Sequence, residues 1–231
     1  MKRTVGFILM VLLLSIIPQL ANAHEKAWSK TIKVDSGNGT RDVKAVWIDM
    51  KDPMYRAEVA LAKGMAGQVD SFTNIAQQLS DSETEIVAAI NGTFFNAYTD
   101  LQPTGTIRLK GRTATFSNTG TCIGFTGDNK IEFAHLYSSV SGSINGNWEY
   151  PYNWGVWGIN QIYTQENANA MYTPDFGKEV DAGSKTAIIV RNGKVTAIQK
   201  GISPIHSDGY ALVFGSPAYS GMFKVGDRVD Y

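Results

Sequence analysis

The chain has 231 residues, with 21 Lys plus Arg balanced by 21 Asp plus Glu, so no basic field exists to hold a nucleic-acid backbone. Hydrophobic residues at 43% and aromatics at 11% exclude a disordered chain, and a single Cys excludes a disulfide framework or a Cys-based zinc cluster. Twenty-three Gly and only 18% charged residues point to a turn-rich, strand-heavy protein of one ordinary domain or two small ones.

Residues 1–23 read as a secretory signal peptide. Lys2 and Arg3 precede an apolar run from Val5 to Ile17, and Ala21-Asn22-Ala23 supplies a small-x-small cleavage site. The run is short for a spanning helix and Pro18 follows it, which favours cleavage over an uncleaved anchor. Cutting after Ala23 removes two basic and no acidic residues, leaving 208 residues (24–231) with formal charge −2. The expected location is secreted or extracytoplasmic, with no stable membrane anchor after cleavage.

Alternation in Asp42–Asp49 and Tyr55–Leu61 predicts two strands, with Pro53 in the turn between them. Phe72, Ile75, Ala76 and Leu79 fall at i, i+3, i+4 and i+7, so Ser71–Leu79 is predicted helical, with Ser71 as N-cap. Glu85–Ile90 is a continuous apolar run, the pattern of a central strand covered on both faces, against whose Ile86–Ile90 stretch the helix should lie.

Hairpin signals dominate the remainder. Thr106–Leu109 and Thr113–Phe116 flank Lys110-Gly111-Arg112; Cys122–Phe125 and Lys130–Phe133 flank Gly127–Asn129; Thr186–Val190 and Lys194–Ile198 flank Asn192-Gly193. Gly209–Phe214 and Phe223–Val229 form a last candidate pair, and the Ser/Gly/Asn-rich stretch Ser138–Asn147 reads as a loop. Cys122, in an alternating apolar stretch, reads as a small buried hydrophobe. The fold class predicted is α+β: a strand-rich mixed or antiparallel sheet with one or two packed helices.

The common catalytic motifs are missing. No phosphate-binding glycine loop, His-Glu-x-x-His or Gly-x-Ser-x-Gly occurs, and His24, His135 and His206 lie far apart in sequence. Neither a metal site nor a cofactor is expected. Asn38-Gly-Thr40 and Asn91-Gly-Thr93 match the glycosylation sequon, which matters only in a eukaryotic secretory route. The dense region runs from Asn91 to Gly111. An Asn-Gly at a strand end allows a sharp turn with backbone amides facing outward, and Asn91 offers both donor and acceptor. Phe94 and Phe95 can wall a pocket, stack on a sugar, or fill a core. Trp148, Tyr150, Tyr152, Trp154 and Trp157 form an aromatic cluster open to the same two readings.

Val87-Ala-Ala-Ile-Asn-Gly-Thr-Phe-Phe-Asn96, followed by Pro103-Thr-Gly105 and Gly111, resembles the phosphodiester glycosidase family. That family includes the lysosomal enzyme that uncovers mannose 6-phosphate, and bacterial exported proteins. Trp157–Asn160, Met171–Gly177, Thr186–Gly201, Asp208–Tyr210 and Gly226-Asp227 follow in the family's order, so the resemblance covers most of Thr31–Tyr231. Two departures stand out. Thr93 replaces a second glycine found in many members, and the family's later acidic, triple-glycine segment does not occur here.

The resemblance implies a secreted hydrolase of sugar-1-phosphodiesters on cell-surface or exopolysaccharide glycans. Its substrate contacts would be Asn91, Gly92, Thr93, Phe95, Asn96, Thr104, Gly105, Arg108, Asn160 and Asp208. Donors must stabilise the departing phosphate while a carboxylate places the attacking water. Arg108 can meet a phosphate in bidentate fashion or simply face solvent on its strand. Asp100, Glu149, Asp175 and Asp208 all sit in loops, and no general acid or base is assigned among them. The alternatives are a truncated, non-catalytic glycan-binding protein and a structural envelope protein.

Overall fold

The computed structural model describes residues 27–98, 100–118 and 120–231, so the expected signal peptide and His24 lie outside the described residues. The fold is α+β, strand-rich and mostly antiparallel, with few short helices. The chain divides into two compact units. Among the described residues, one comprises 27–57 with Phe125–Lys130, the other Glu58–Gly124 with Ile131–Tyr231.

The smaller unit is built on a long hairpin. Strand β1 (Ala27–Ser36) pairs antiparallel with β2 (Gly39–Ile48), in unbroken register from Ala27↔Ile48 to Ser36↔Gly39. Gly39, at φ 105°, allows the tight turn that a side chain would strain. After β2, Asp49 and Asp52 each accept a backbone N–H two residues on, from Lys51 and Met54, both at 3.0 Å. These side chains hold consecutive turns. The predicted strand at Asp42–Asp49 thus forms, but its partner is β1. Tyr55–Leu61 forms no strand, because the tight turn at Gly37-Asn38 gives β2 a nearer, fully in-register partner.

The larger unit begins with a 3-10 turn (Ala62–Gly64) and helix α1 (Phe72–Gln77). Ser71 caps α1 as expected, its Oγ accepting from Asn74 N at 3.2 Å. Next come hairpin β3 (Ile107–Leu109) with β4 (Arg112–Thr115) and the pair β5 (Cys122–Phe125) with β6 (Ile131–Ala134). The remaining strands are β7 (Val140–Ile144), β8 (Asn153–Val156), β9 (Gly158–Ile159), β10 (Asn169–Tyr172) and β11 (Glu179–Asp181). Then follow β12 (Thr186–Arg191), β13 (Lys194–Gln199), β14 (Ile202–Pro204), β15 (Gly209–Phe214), α2 (Pro217–Ser220) and β16 (Val229–Asp230).

A five-stranded sheet, ordered β13-β12-β15-β10-β9, forms the centre, with only β10-β9 parallel. Side chains alternate across it. Met171, Ile188, Val190, Leu212 and Phe214 point to one face, where Ile144, Trp154, Val156 and Val229 of the β16-β7-β8 sheet meet them. Ala170, Ala187, Ile189, Ala211 and Val213 point to the other, under Phe176, Val180 and Ile205. Burial on both faces explains why β12 and β15 read as near-continuous apolar runs.

Several expectations need correction. Glu85–Ile90 forms no strand: Ile90 is 90% exposed, and all five strands of the central sheet come from residues 158–214. Apolarity makes a segment fit for a sheet interior but does not supply its hydrogen-bond partners. Without that strand, α1 buries no residue, and Phe72 stays half exposed. Ser138–Asn147 contains strand β7, with Gly142, Ser143 and Ile144 buried. Its small residues hid the pattern, and Gly142 is required because a Cβ there would overlap Asp230 O and the Trp154 ring. Phe223–Val229 does not pair with β15, whose two edges are occupied by β12 and β10; only Val229–Asp230 is extended, against β7. Cys122 is half-buried rather than buried.

The two-sided sheet predicts an uneven response to truncation. Leu212→Ala, at a fully buried side chain, should lower the unfolding free energy by about 3 kcal/mol. Ile90→Ala should change it by less than about 0.5 kcal/mol. Urea unfolding of both variants decides the matter, and a comparable loss at Ile90 would contradict its exposure.

Candidate functional site

The segment from Asn91 to Arg108 forms a ledge at one border of the larger unit. Phe95 and Pro103 make an isolated antiparallel bridge, with Thr104 N donating to Phe94 O (2.9 Å) and Asn96 N to Gln102 O (3.0 Å). Asn96 Nδ2 and Gln102 N both donate to Asp100 Oδ1 at 3.0 Å, so that carboxylate braces the loop tip. The Thr104 hydroxyl donates to Phe94 O at 3.0 Å. A Cβ on Gly105 would overlap Thr93 Oγ1, so the Thr93 side chain fills the space that Gly105 leaves open.

The ledge is tied to the interior by side chains the sequence reading did not select. The Thr115 hydroxyl donates to Gly105 O (2.7 Å) and the Ser117 hydroxyl to Thr104 O (2.7 Å). Gln161 Nε2 reaches Pro103 O at 2.9 Å. Beneath them lies Asn160, fully buried at φ 54°, whose Nδ2 donates to Ala114 O (2.7 Å) and Thr173 Oγ1 (2.9 Å). Its Oδ1 accepts from Thr173 N at 2.8 Å. Both amide protons are therefore committed internally. Gln102 Oε1, within the ledge, is buried with no hydrogen-bond partner among the described residues.

Asn91, Gly92, Thr93, Phe95, Asn96, Thr104 and Gly105 are thus brought together. Phe94 is 88% exposed and Phe95 53%, so both rings face solvent rather than a core. Arg108 lies on β3 with its guanidinium exposed, donating through Nη2 to Gly111 O at 2.9 Å. Asp208 sits apart, at the turn before β15. Register places it at the same end of the central sheet as Asn160, but between β12 and β15 rather than beside β9.

Arg191 grips Asp208 with two bonds, Nε to Oδ1 at 3.0 Å and Nη2 to Oδ2 at 2.9 Å, and Asn192 Nδ2 adds a third at 3.0 Å. Hydrogen bonding from Arg191, joined by its charge and by Asn192, holds the Asp208 carboxyl below the usual aspartate range. Of the other loop carboxylates, Asp175 stands out. Its side chain is 13% exposed, paired with Arg112 Nη1 at 2.7 Å, and only two residues from Thr173. The signal for Asp175 was available in the Thr-Pro-Asp-Phe-Gly run, but nothing in the sequence pairs it with Arg112.

Elsewhere a cleft of about 240 Å³ is lined by Tyr163, Tyr172, Asp181 and Lys185 over small apolar residues. Lys185 Nζ donates to Tyr163 O (3.0 Å) and Gln165 O (2.8 Å), and burial lowers its pKa. Burial also pushes the Tyr163 and Tyr172 phenols up. In the aromatic cluster, Trp154 is buried while Trp148, Tyr150, Tyr152 and Trp157 are exposed. His135 bridges Gly120 O (3.1 Å) and the Thr121 hydroxyl (3.3 Å). Among the described residues no cluster of three His, Cys, Asp or Glu could hold a metal, and no helix is long and apolar enough to cross a membrane.

No family model matches the chain, and no curated protein matches it. Among solved structures, it is similar to a hypothetical protein from Synechocystis, with a TM-score of 0.68 and 22% identity. The match covers 89% of this chain and 38% of that one. The likeness shows the fold, and the chain spans well under half the length of that protein.

Two predictions follow from this geometry. Gly105→Ala should cost about 1–3 kcal/mol through overlap with Thr93. Thr93→Gly in the same background should recover most of that loss in a urea-monitored double-mutant cycle; simple additivity would show that the two residues do not touch. Asp208, whose folded pKa is depressed, contributes stability that is complete above the ordinary aspartate pKa and fades as pH falls through the lower folded value. Carboxyl NMR should therefore find Asp208 titrating below about 3.9, and Arg191→Gln should raise that midpoint. An unchanged midpoint would refute the pairing.

Proposed function

We propose that this chain is an exported protein acting on sugar-1-phosphodiesters of cell-surface or exopolysaccharide glycans, in the manner of a phosphodiester glycosidase. The observation that carries the reading is the seating of Asn91–Asn96 against Pro103–Gly105. These are the segments in which the sequence resembles that family, and a short loop between them folds back so that they lie side by side.

The chemistry required is modest in its parts. A glycosyl phosphodiester already bears negative charge, and more develops on the phosphate oxygen as the sugar–oxygen bond breaks. The Asn91 side chain, without a hydrogen-bond partner among the described residues, and the Gly92 and Thr93 amides supply donors at the exposed turn. Arg108 is a cation on the neighbouring hairpin. Phe95 and Phe94 present ring faces on which a sugar can stack. Asn96 and Thr104 hold the ledge in shape, and Asn160 acts from below by fixing β4. Asp208 acts by fixing its own turn. Asp175 is the carboxylate best placed to orient water, since Arg112 and the Thr173–Asp175 backbone tie it to the Asn160 assembly.

A second reading, a non-catalytic glycan-binding or structural envelope protein, draws on two observations. Asp100 and Asp208 are both committed to internal hydrogen bonds, and Val87 and Ile90 stay uncovered beside the ledge.

Incubating the purified exported chain with an N-acetylglucosamine-1-phosphodiester separates these readings. Release of free sugar with an equal amount of phosphate monoester is expected, with Asn91→Ala lowering the rate at least about 100-fold at unchanged urea stability. Glycan binding without product at high protein concentration would establish the second reading. Neither product nor binding would refute a glycan-directed role for the ledge.

A further inference from the structure

The β1–β2 hairpin carries a feature that no glycan-directed reaction uses. By register, Trp28, Lys30, Ile32 and Val34 lie on one face of β1, opposite Trp47, Ala45, Val43 and Arg41 of β2. The two indole rings stack at 4.1 Å with their planes 9° apart. Trp28 is 52% exposed and Trp47 39%, while Val34 and Val43 are each 41% exposed. A two-stranded sheet is marginal in water unless its apolar face is covered, and among the described residues no third strand joins it.

Charge is divided unequally between the faces. The apolar face carries Lys30 and Arg41 and no carboxylate. The opposite face carries Lys33 and Lys44 together with Asp35 and Asp42, with Lys33 directly across from Asp42. Neither Lys30 nor Arg41 has an ion-pair partner among the described residues. One side of the ribbon is thus neutral in sum, and the other is apolar and doubly cationic.

From this we infer that the Trp28–Trp47 face of the hairpin docks reversibly on an anionic lipid surface. Indole rings favour the headgroup boundary, aliphatic side chains gain by entering the acyl region, and flanking cations meet lipid phosphates. A second copy of the chain fits poorly. Pairing two such faces would enclose four cations and no carboxylate, a like-charge juxtaposition that costs affinity. A glycan would occupy the indoles but leave Ile32, Val34 and Val43 wet. The inference is independent of the ledge, which lies in the other unit.

The test uses protein expressed from residues 1–231 and processed by the host, with intact mass confirming His24 as its first residue, and vesicles of phosphatidylglycerol or of phosphatidylcholine. Sedimentation with phosphatidylglycerol and a shift of tryptophan emission to shorter wavelength are expected, with much weaker binding to phosphatidylcholine. Lys30→Gln with Arg41→Gln should weaken binding about thirtyfold. Lys33→Gln with Lys44→Gln, an equal change in net charge on the other face, should weaken it far less. Equal losses from the two pairs would reduce the effect to net charge and overturn the inference. So would failure to bind phosphatidylglycerol, or a concentration-dependent dimer abolished by Trp28→Ala. Far-UV circular dichroism and urea unfolding of both double variants serve as the control for folding.

Discussion

The side chain of Asn160 is the constraint on which the candidate site depends. It follows the short strand β9 in a left-handed backbone conformation, fully buried, with its amide bonded to Ala114 O and to both the hydroxyl and the backbone N–H of Thr173. Those bonds fasten β4 and the chain beyond β10 to one point. From β4 the linkage continues through the Thr115 hydroxyl to Gly105, and a residue further on Gln161 holds Pro103. A buried amide with unmatched groups would cost several kcal/mol in total, whereas a matched one confines its partners to a single arrangement. The ledge inherits its position from this buried residue, although it shares no strand with the central sheet.

The sheet in turn explains why the site lies at its border. Both faces of β12, β15 and β10 carry other layers, so the sheet is approached at strand ends, at loops and at the cleft lined by Tyr163, Tyr172 and Lys185. Asn160, Asp175 and Asp208 all gather at one such end, but by different means. Asp208 is neutralised by the bidentate Arg191 and serves the hairpin turn. Asp175 is held by Arg112, a more exposed arginine at the start of β4. Two carboxylates with similar loop contexts are thus held differently because of the cations that folding brings to them.

Local signals in the sequence proved reliable where the physics is itself local. Asn192-Gly193 and Lys110-Gly111 both take positive φ and close their hairpins, and Ser71 caps its helix. The hairpin expected between Thr186–Val190 and Lys194–Ile198 forms as β12 with β13. The failures share one cause: they needed a partner distant in the chain. Glu85–Ile90 has the composition of a core strand but joins no sheet, Tyr55–Leu61 alternates yet forms no strand, and β7 is buried through contacts with residues 154 and 230 that its Ser and Gly residues do not advertise. The site was legible in the same measure. Asn91–Gly105 could be seen as dense in function-bearing residues, but Thr115, Gln161 and the Arg112–Asp175 pair could not, because hydroxyls, amides and surface charges take their meaning from what they touch.

The central claim is that the ledge held by Asn160 is where a glycosyl phosphate meets this protein. Amide chemical-shift mapping with a glycosyl phosphodiester tests it directly, since each backbone N–H reports its own surroundings. The largest perturbations are expected at Gly92, Thr93, Asn96 and Gly105, with smaller ones at Thr115 and none in the Lys185 cleft. Perturbations centred on that cleft, or none across residues 91–105, would contradict it.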